Sequence, residues 1–262
     1  MSQKYSEPVL VVANLSVHFG GLIAIKDLTF SVKRGEILSL IGPNGAGKTT
    51  AFNVITGFLS ASSGSVKYNN INLNDRKPSE IATKGLIRTF QKTSVFDNET
   101  VFENVMIGLH RRGAAQAWEI VLGLARVHRE EEKLRKIAVE ALKFMGLAHR
   151  ENELASDLPY GEQRLLGVAV ALAAEPSILL LDEPASGMNP SETSSFMTIV
   201  EKIRDSGVTI FLIEHDMKMV MQISDRVIVL NQGVIIADGT PAEIQHNPEV
   251  IRAYLGDGAI NA

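Results

Sequence analysis

The chain has 262 residues, 45% of them hydrophobic and 21% charged, with a formal net charge of −4 and no cysteine. This is the composition of a globular chain with one large or two small domains, and it excludes a disordered or collagen-like polymer. Disulfides, Cys-based zinc sites and a thiol nucleophile are excluded too, and the acidic balance gives no global field for a polyanion such as DNA.

The opening residues, MSQKYSEPVL, lack the basic segment and apolar run of a signal peptide. The longest uninterrupted apolar run, 165–174, is half the ~20 residues that a helical span needs. A soluble, cytoplasmic chain is expected, reaching any membrane only through a partner. In 28–32 (LTFSV) apolar residues fall two apart, as in a half-buried antiparallel strand. The run 37–41 (ILSLI) is apolar on both faces, as are 178–181 (ILLL) and 208–213 (VTIFLI). Such runs suit central strands of a parallel sheet covered by helices. Polar residues follow each of them: Gly42 onward, Asp182-Glu183 and Glu214-His215. Open α/β sheets bind ligands at that edge. The stretch 100–149 is charge-rich, lacks proline and carries long helical patterns, which predicts an inserted helical subdomain with the charged run 130–136 as a solvated face. Residues 226–230, Asn231-Gln232-Gly233 and 234–236 read as a hairpin.

The strongest signal is Gly42-Pro43-Asn44-Gly45-Ala46-Gly47-Lys48-Thr49-Thr50, which satisfies G-x-x-x-x-G-K-[ST]. A buried strand precedes it, and 49–56 follows as a potential helix stopped at Gly57. Glycines permit positive φ and a close backbone approach to an anion. Successive N–H groups then point inward at the positive end of a helix dipole. Lys48 adds a mobile charge for β- and γ-phosphates, Thr49 a hard oxygen ligand for Mg²⁺, and Thr50 a hydrogen bond to the α-phosphate. A Gly-rich turn that binds nothing would not need the full nine-residue match in this context. Asp182 and Glu183 end the second apolar run. Two such carboxylates are also common as a helix cap, but beside a phosphate loop they suit two tasks: Asp182 meets Mg²⁺ through water, and Glu183 polarises the attacking water as general base.

These residues resemble one family, the ATP-binding cassette (ABC) ATPases, over about residues 9–256. Leu158-Pro159-Tyr160-Gly161-Glu162-Gln163 looks like the family's signature motif, Gln91 in Arg88-Thr89-Phe90-Gln91 like the Q-loop glutamine, 185–189 like the D-loop, and His215 like the switch histidine. Phe19 stands where the family places an aromatic that stacks on adenine. Singly, Gln91 would be a loop polar residue, and His215 and Phe19 core residues; their order around the two strong motifs favours the functional reading. The signature departs from the usual Leu-Ser-Gly-Gly-Gln at Pro159, Tyr160 and Glu162; Asn189 replaces the usual D-loop Asp, and Val170 stands where many relatives carry Arg. The Pro/Tyr variation resembles the LivG-type branch, the ATPases of branched-chain amino-acid importers, as do the strings 85–91, 213–218 and 247–256.

The resemblance implies an α/β P-loop NTPase of the ABC cassette type, with a mainly parallel core sheet, an antiparallel β subdomain and an inserted helical subdomain. It implies a single domain, 1–262, with the core at about 1–90 and 160–262 and the helical signature subdomain at about 91–159. ATP and Mg²⁺ are the implied cofactors. Lys48, Gln91, Glu183 and His215 are the implied catalytic set, and Thr49, Gln91 and Asp182 the metal set. In the family, the signature of one subunit, here Tyr160, Gly161 and Glu162, caps the ATP held by another. Partners follow by analogy: membrane permeases, a second ABC ATPase subunit, an external solute-binding protein, and no nucleic acid, with the chain peripheral on the inner face of the cell membrane. Two alternatives stay open, an ABC ATPase of another transport branch such as lipopolysaccharide export, and a non-transport ABC ATPase.

Overall fold

The computed structural model describes residues 8–89, 95–109 and 125–255. Its elements, in order, are β1 (Pro8–Phe19), β2 (Leu22–Lys33), β3 (Ile37–Ile41), α1 (Lys48–Ile55), β4 (Ser63–Tyr68), β5 (Ile71–Asn72), α2 (Pro78–Ala82) and β6 (Leu86–Arg88). Then come α3 (Val101–Leu109), α4 (Ala125–Phe144), α5 (Tyr160–Ala173), β7 (Ile178–Asp182), α6 (Pro190–Asp205), β8 (Thr209–Ile213) and α7 (Met217–Ile223). The last are β9 (Arg226–Asn231), β10 (Val234–Gly239), α8 (Pro241–Gln245) and α9 (Pro248–Leu255). Packing divides the chain into two units: the described residues of Met1–Arg88, Ser177–Ser186 and Thr193–Ala262, and those of Thr89–Pro176 and Gly187–Glu192.

The first unit carries two sheets. Four strands form an antiparallel sheet in the order β2-β1-β4-β5. Leu28, Phe30 and Val32 are buried in it, as the alternation at 28–32 predicts. β2 begins earlier, at Leu22, because register irregularities opposite β1 break the period-two pattern there. The larger sheet runs β10-β9-β3-β8-β7-β6, parallel except for β10. Every residue of β3, β7 and β8 is buried, which is what their unbroken apolar runs require. On one face Leu38, Leu40 and Phe211 pack with Phe52 of α1 and with Val12 and Phe30 of the antiparallel sheet. Phe211 lies 4.7 Å from Phe52 and 5.5 Å from Phe30, ring centre to ring centre. On the other face Ile41, Val227 and Val229 meet Val220, Ile244 and Val250. Each such side chain contributes about 1.5–3 kcal/mol by leaving water. The predicted hairpin is β9–β10, and Gln232 and Gly233 take the positive φ (47° and 80°) that a two-residue turn needs.

The second unit is helical, with α3, α4 and α5 packed together. A Cβ on Gly108 of α3 would stand 2.5 Å from Val170 Cγ1 of α5, so these two helices meet backbone to side chain. Asn104 is buried and holds the turn before α3: its Oδ1 accepts from the Phe96 amide at 2.7 Å, and its Nδ2 donates to Phe96 O and Thr100 O. Glu131–Arg135 and Glu132–Lys136 pair along α4 at 3.0 Å with all four side chains exposed, the solvated face expected for this run. Sequence places the end of the helical part near 159. Packing carries it through α5 to Pro176, because α5 lies against α3 and α4.

Candidate active site

Within the first unit, one group of residues gathers where β3 gives way to α1. Gly42 leaves β3 with φ +151°, and a Cβ there would stand 2.0 Å from Leu230 O, so only glycine fits. Gly47, at φ 105°, caps the start of α1. Between them Asn44 and Gly45 are exposed, Pro43 is half-buried and Ala46 is buried. Lys48, 6% exposed, bends back and donates from Nζ to Gly42 O (2.7 Å) and Pro43 O (3.0 Å). Burial pushes its ammonium below the ordinary 10.5, while the carboxylates of Glu183 and Asp182 pull it back up. Carbonyls are weaker partners for this cation than phosphate oxygens. Thr49 is exposed and Thr50 half-buried in the first turn of α1. β2 passes beside the loop, since a Cβ on Gly47 would meet Ala24 O at 2.8 Å. Phe19 and Leu22 pair at the tip of that hairpin, and Phe19 is 49% exposed, leaving its ring free to stack.

The second group lies at the ends of β7 and β8 in the same sheet. Asp182 is buried, and its Oδ2 accepts from Arg88 at 2.6 Å. Arg88 also donates to Asn53 Oδ1 (2.8 Å) and Thr56 Oγ1 (3.1 Å). Oδ1 of Asp182 is buried with no hydrogen bond among the described residues. A buried carboxylate oxygen in that state needs a partner, and a hydrated divalent cation supplies one, so the residues fit Mg²⁺. Glu183 adopts a left-handed backbone, φ 49°, and its amide donates to Ile213 O at 2.9 Å. Its Oε1 lies 2.7 Å from His215 Nε2, which brings together two residues of the implied catalytic set.

The signature residues belong to the second unit. Pro159 is the N-cap of α5, and Tyr160, Gly161 and Glu162 form its first turn. The Tyr160 hydroxyl accepts from Arg164 Nε (3.0 Å) and from its terminal nitrogen (2.6 Å), and a Cβ on Gly187 would meet the Tyr160 ring at 2.7 Å. Glu162 pairs with Arg150 at 2.6 Å. Both side chains are thus engaged within their own unit, and what this turn can offer an outside anion is its backbone amides. Asn189 caps α6: its Oδ1 accepts from Ser191 and Glu192 amides (2.9 and 3.0 Å), and Glu192 returns a bond to the Asn189 amide (2.8 Å). An Asn performs that capping as well as an Asp. Gln91 lies outside the described residues.

Three residues carry roles that sequence reasoning did not single out. Arg88 holds Asp182; a lone Arg in an apolar strand gives only the general signal that a buried charge has a partner. Glu214 is 3% exposed and bonds three backbone amides. Tyr254 of α9 lies beside the Gly42 amide, and its partial burial pushes the phenol up to about 12. Neither of the last two has a local sequence signal, because each depends on a segment distant in the chain.

Comparison with known proteins agrees with this geometry. The family described as ABC transporter matches residues 25–186, and one described as Branched-chain amino acid ATP-binding cassette transporter matches 234–260. The chain is 43% identical to the high-affinity branched-chain amino acid transport ATP-binding protein LivG of Salmonella typhimurium, over 96% of this chain and 99% of that one. It resembles the ADP conformation of an ATP-binding cassette of an ABC transporter, with a TM-score of 0.85 and 30% identity over 96% of this chain and 100% of that one. It also resembles the dimeric post-hydrolysis state of an ATP-binding cassette bound to ADP and Pi, with a TM-score of 0.73 and 26% identity over 88% and 98%. A phosphate loop on the edge of a parallel sheet, an acid–histidine pair beside it and relatives of this extent lead to one conclusion: the chain belongs to the ABC transporter family, among its ATP-binding proteins.

Proposed function

We propose that the chain is the ATP-hydrolysing motor subunit of an importer for branched-chain or related amino acids. The observation that carries the hydrolytic part is the 2.7 Å contact between Glu183 and His215 at the sheet edge that also bears the Lys48 loop. The LivG relative, matched along nearly its whole length, supports the choice of cargo.

In this reading, loop amides from Gly42 to Thr50 and the α1 N-terminus hold the phosphates, and Phe19 stacks on adenine. Lys48 exchanges its carbonyl partners for β- and γ-phosphate oxygens. Thr49 and Asp182 would hold Mg²⁺, Asp182 through water, and Gln91 would join that set by resemblance. When bound, Mg²⁺ neutralises charge on the transferring phosphoryl group. Glu183 accepts a proton from water as the water oxygen bonds the γ-phosphorus and the bond to the β-bridging oxygen breaks, giving ADP and phosphate. His215 holds the Glu183 carboxylate in place and orients the water. Amides at Tyr160, Gly161 and Glu162 of a second cassette cap the γ-phosphate, so ATP joins two subunits and hydrolysis parts them. Among the described residues no helix is long and apolar enough to cross a membrane. Transport therefore calls for membrane permeases, with this chain bound peripherally to their inner face and a solute-binding protein delivering cargo outside. The single cassette divides into a core and a helical part, and α5, set in the core from sequence, groups with the helical part.

The test is reconstitution with its cognate permeases, in vesicles fed ATP. Wild-type protein takes up labelled leucine; Lys48→Ala takes up none and binds ATP at least ~10-fold more weakly, from the loss of charge-assisted hydrogen bonds. Uptake by Lys48→Ala, or no uptake of any branched-chain or related amino acid by wild type, overturns the proposal.

A further inference from the structure

Glu214 takes no part in the chemistry assigned above, yet it is the buried carboxylate nearest to it along the chain. Its two oxygens are divided between two loops. Oε1 accepts the amide of Ala185 at 2.8 Å, and Oε2 accepts the amide of His215 at 2.9 Å, with the Asp216 amide at 3.5 Å. Ala185 stands two residues beyond Glu183. On the other side of Glu183 the main chain is held again, by its own amide on Ile213 O. The left-handed backbone at Glu183, φ 49°, is thus clamped on both sides against the β8 end. A non-glycine residue in that region persists only where its surroundings enforce it.

Keeping a carboxylate here is costly. Burial pushes the Glu214 carboxyl above its ordinary value, and the nearby Glu183 charge pushes it the same way; the three amides oppose them. An apolar side chain would fill the space without that cost, so packing alone does not account for an acid. Two acceptor oxygens facing two separate loops do account for it.

We propose that Glu214 is a positioning residue for ATP hydrolysis: its carboxylate holds the Glu183 loop and the His215 loop in one register, which keeps Glu183 Oε1 and His215 Nε2 within hydrogen-bond reach. The inference rests on the reading of Glu183 as the base. Glu214 has no place among the proposed nucleotide contacts, so the effect acts on turnover and not on binding.

Glu214→Gln tests it in the full-length protein. Glutamine keeps one acceptor oxygen and turns an NH₂ toward one of the two amides, donor against donor, so one loop is released. Displacing a catalytic group in this way costs on the order of 10- to 100-fold in kcat, while the KM for ATP and the affinity for ADP stay within about twofold. Glu214→Asp keeps both acceptor oxygens and recovers part of that loss. In a Glu183→Gln background the same Glu214→Gln change lowers the residual rate by less than about twofold, because the base whose contact with His215 it maintains is already gone. A full multiplicative loss in that double variant overturns the proposal, as does a fall in nucleotide affinity that matches the fall in kcat. Wild-type turnover in Glu183→Gln alone overturns the assignment of the base instead, which separates the two failures.

Discussion

Tyr254 illustrates what one side chain far along the sequence brings to the phosphate loop. Its phenol lies beside the amide of Gly42, the first residue of that loop, and although the residue is 40% exposed its partial burial raises its ionisation from 10.0 to about 12. Between those two values the folded chain keeps a proton that the unfolded chain has lost. Its contribution to stability is therefore fully present below pH 10 and falls as pH rises from about 10 to about 12. Ultraviolet titration of phenolate absorbance checks this: Tyr254→Phe removes an ionisation near 12 and leaves the earlier ones. At this scale the sequence was most legible where a residue type has one chemical use. Lys48 opens a helix after a glycine-rich turn and Glu183 follows a buried strand, as the sequence pattern predicts. Arg88, Glu214 and Tyr254 were illegible for the opposite reason, since their roles are set by Asp182, Ala185 and Gly42, which the chain brings to them only on folding.

Among elements, closeness between α3 and α5 governs the helical unit. The space at Gly108 is already taken by Val170, so Gly108→Ala forces a shift of one helix or the other. The expected outcome is a loss of about 1–3 kcal/mol, the cost of overpacking a core, read as a lower denaturant midpoint with unchanged slope. Strands β3, β7 and β8 were readable because a run buried on both faces has nowhere else to go. The β9–β10 hairpin was readable because Gln232-Gly233 suits only one kind of turn. The allegiance of α5 was not readable. A helix rich in Ala, Val and Leu on several sides suits either a sheet or other helices, and only the close fit at Gly108 and Val170 gives it to the latter.

For the whole molecule, the proposed function requires that the nucleotide held by the Lys48 loop of one subunit is capped by the signature turn of another. Glu183→Gln keeps the phosphate loop and loses the base, so with Mg²⁺ and ATP it should accumulate as a paired species of about twice the mass, alone or with its sister ATPase. Light scattering after chromatography reads this directly; a mass that stays single in every mixture refutes the shared site. Composition foretold the class of molecule but not this arrangement, because net charge and hydrophobic content carry no record of which surfaces meet. One local feature extends the argument beyond the site itself. Arg88 stands in the outermost strand of the large sheet and grips Asp182, Asn53 and Thr56 together. Any redistribution of negative charge at Asp182 must therefore rebalance all three bonds, so a change at that carboxylate is felt at the margin of the sheet.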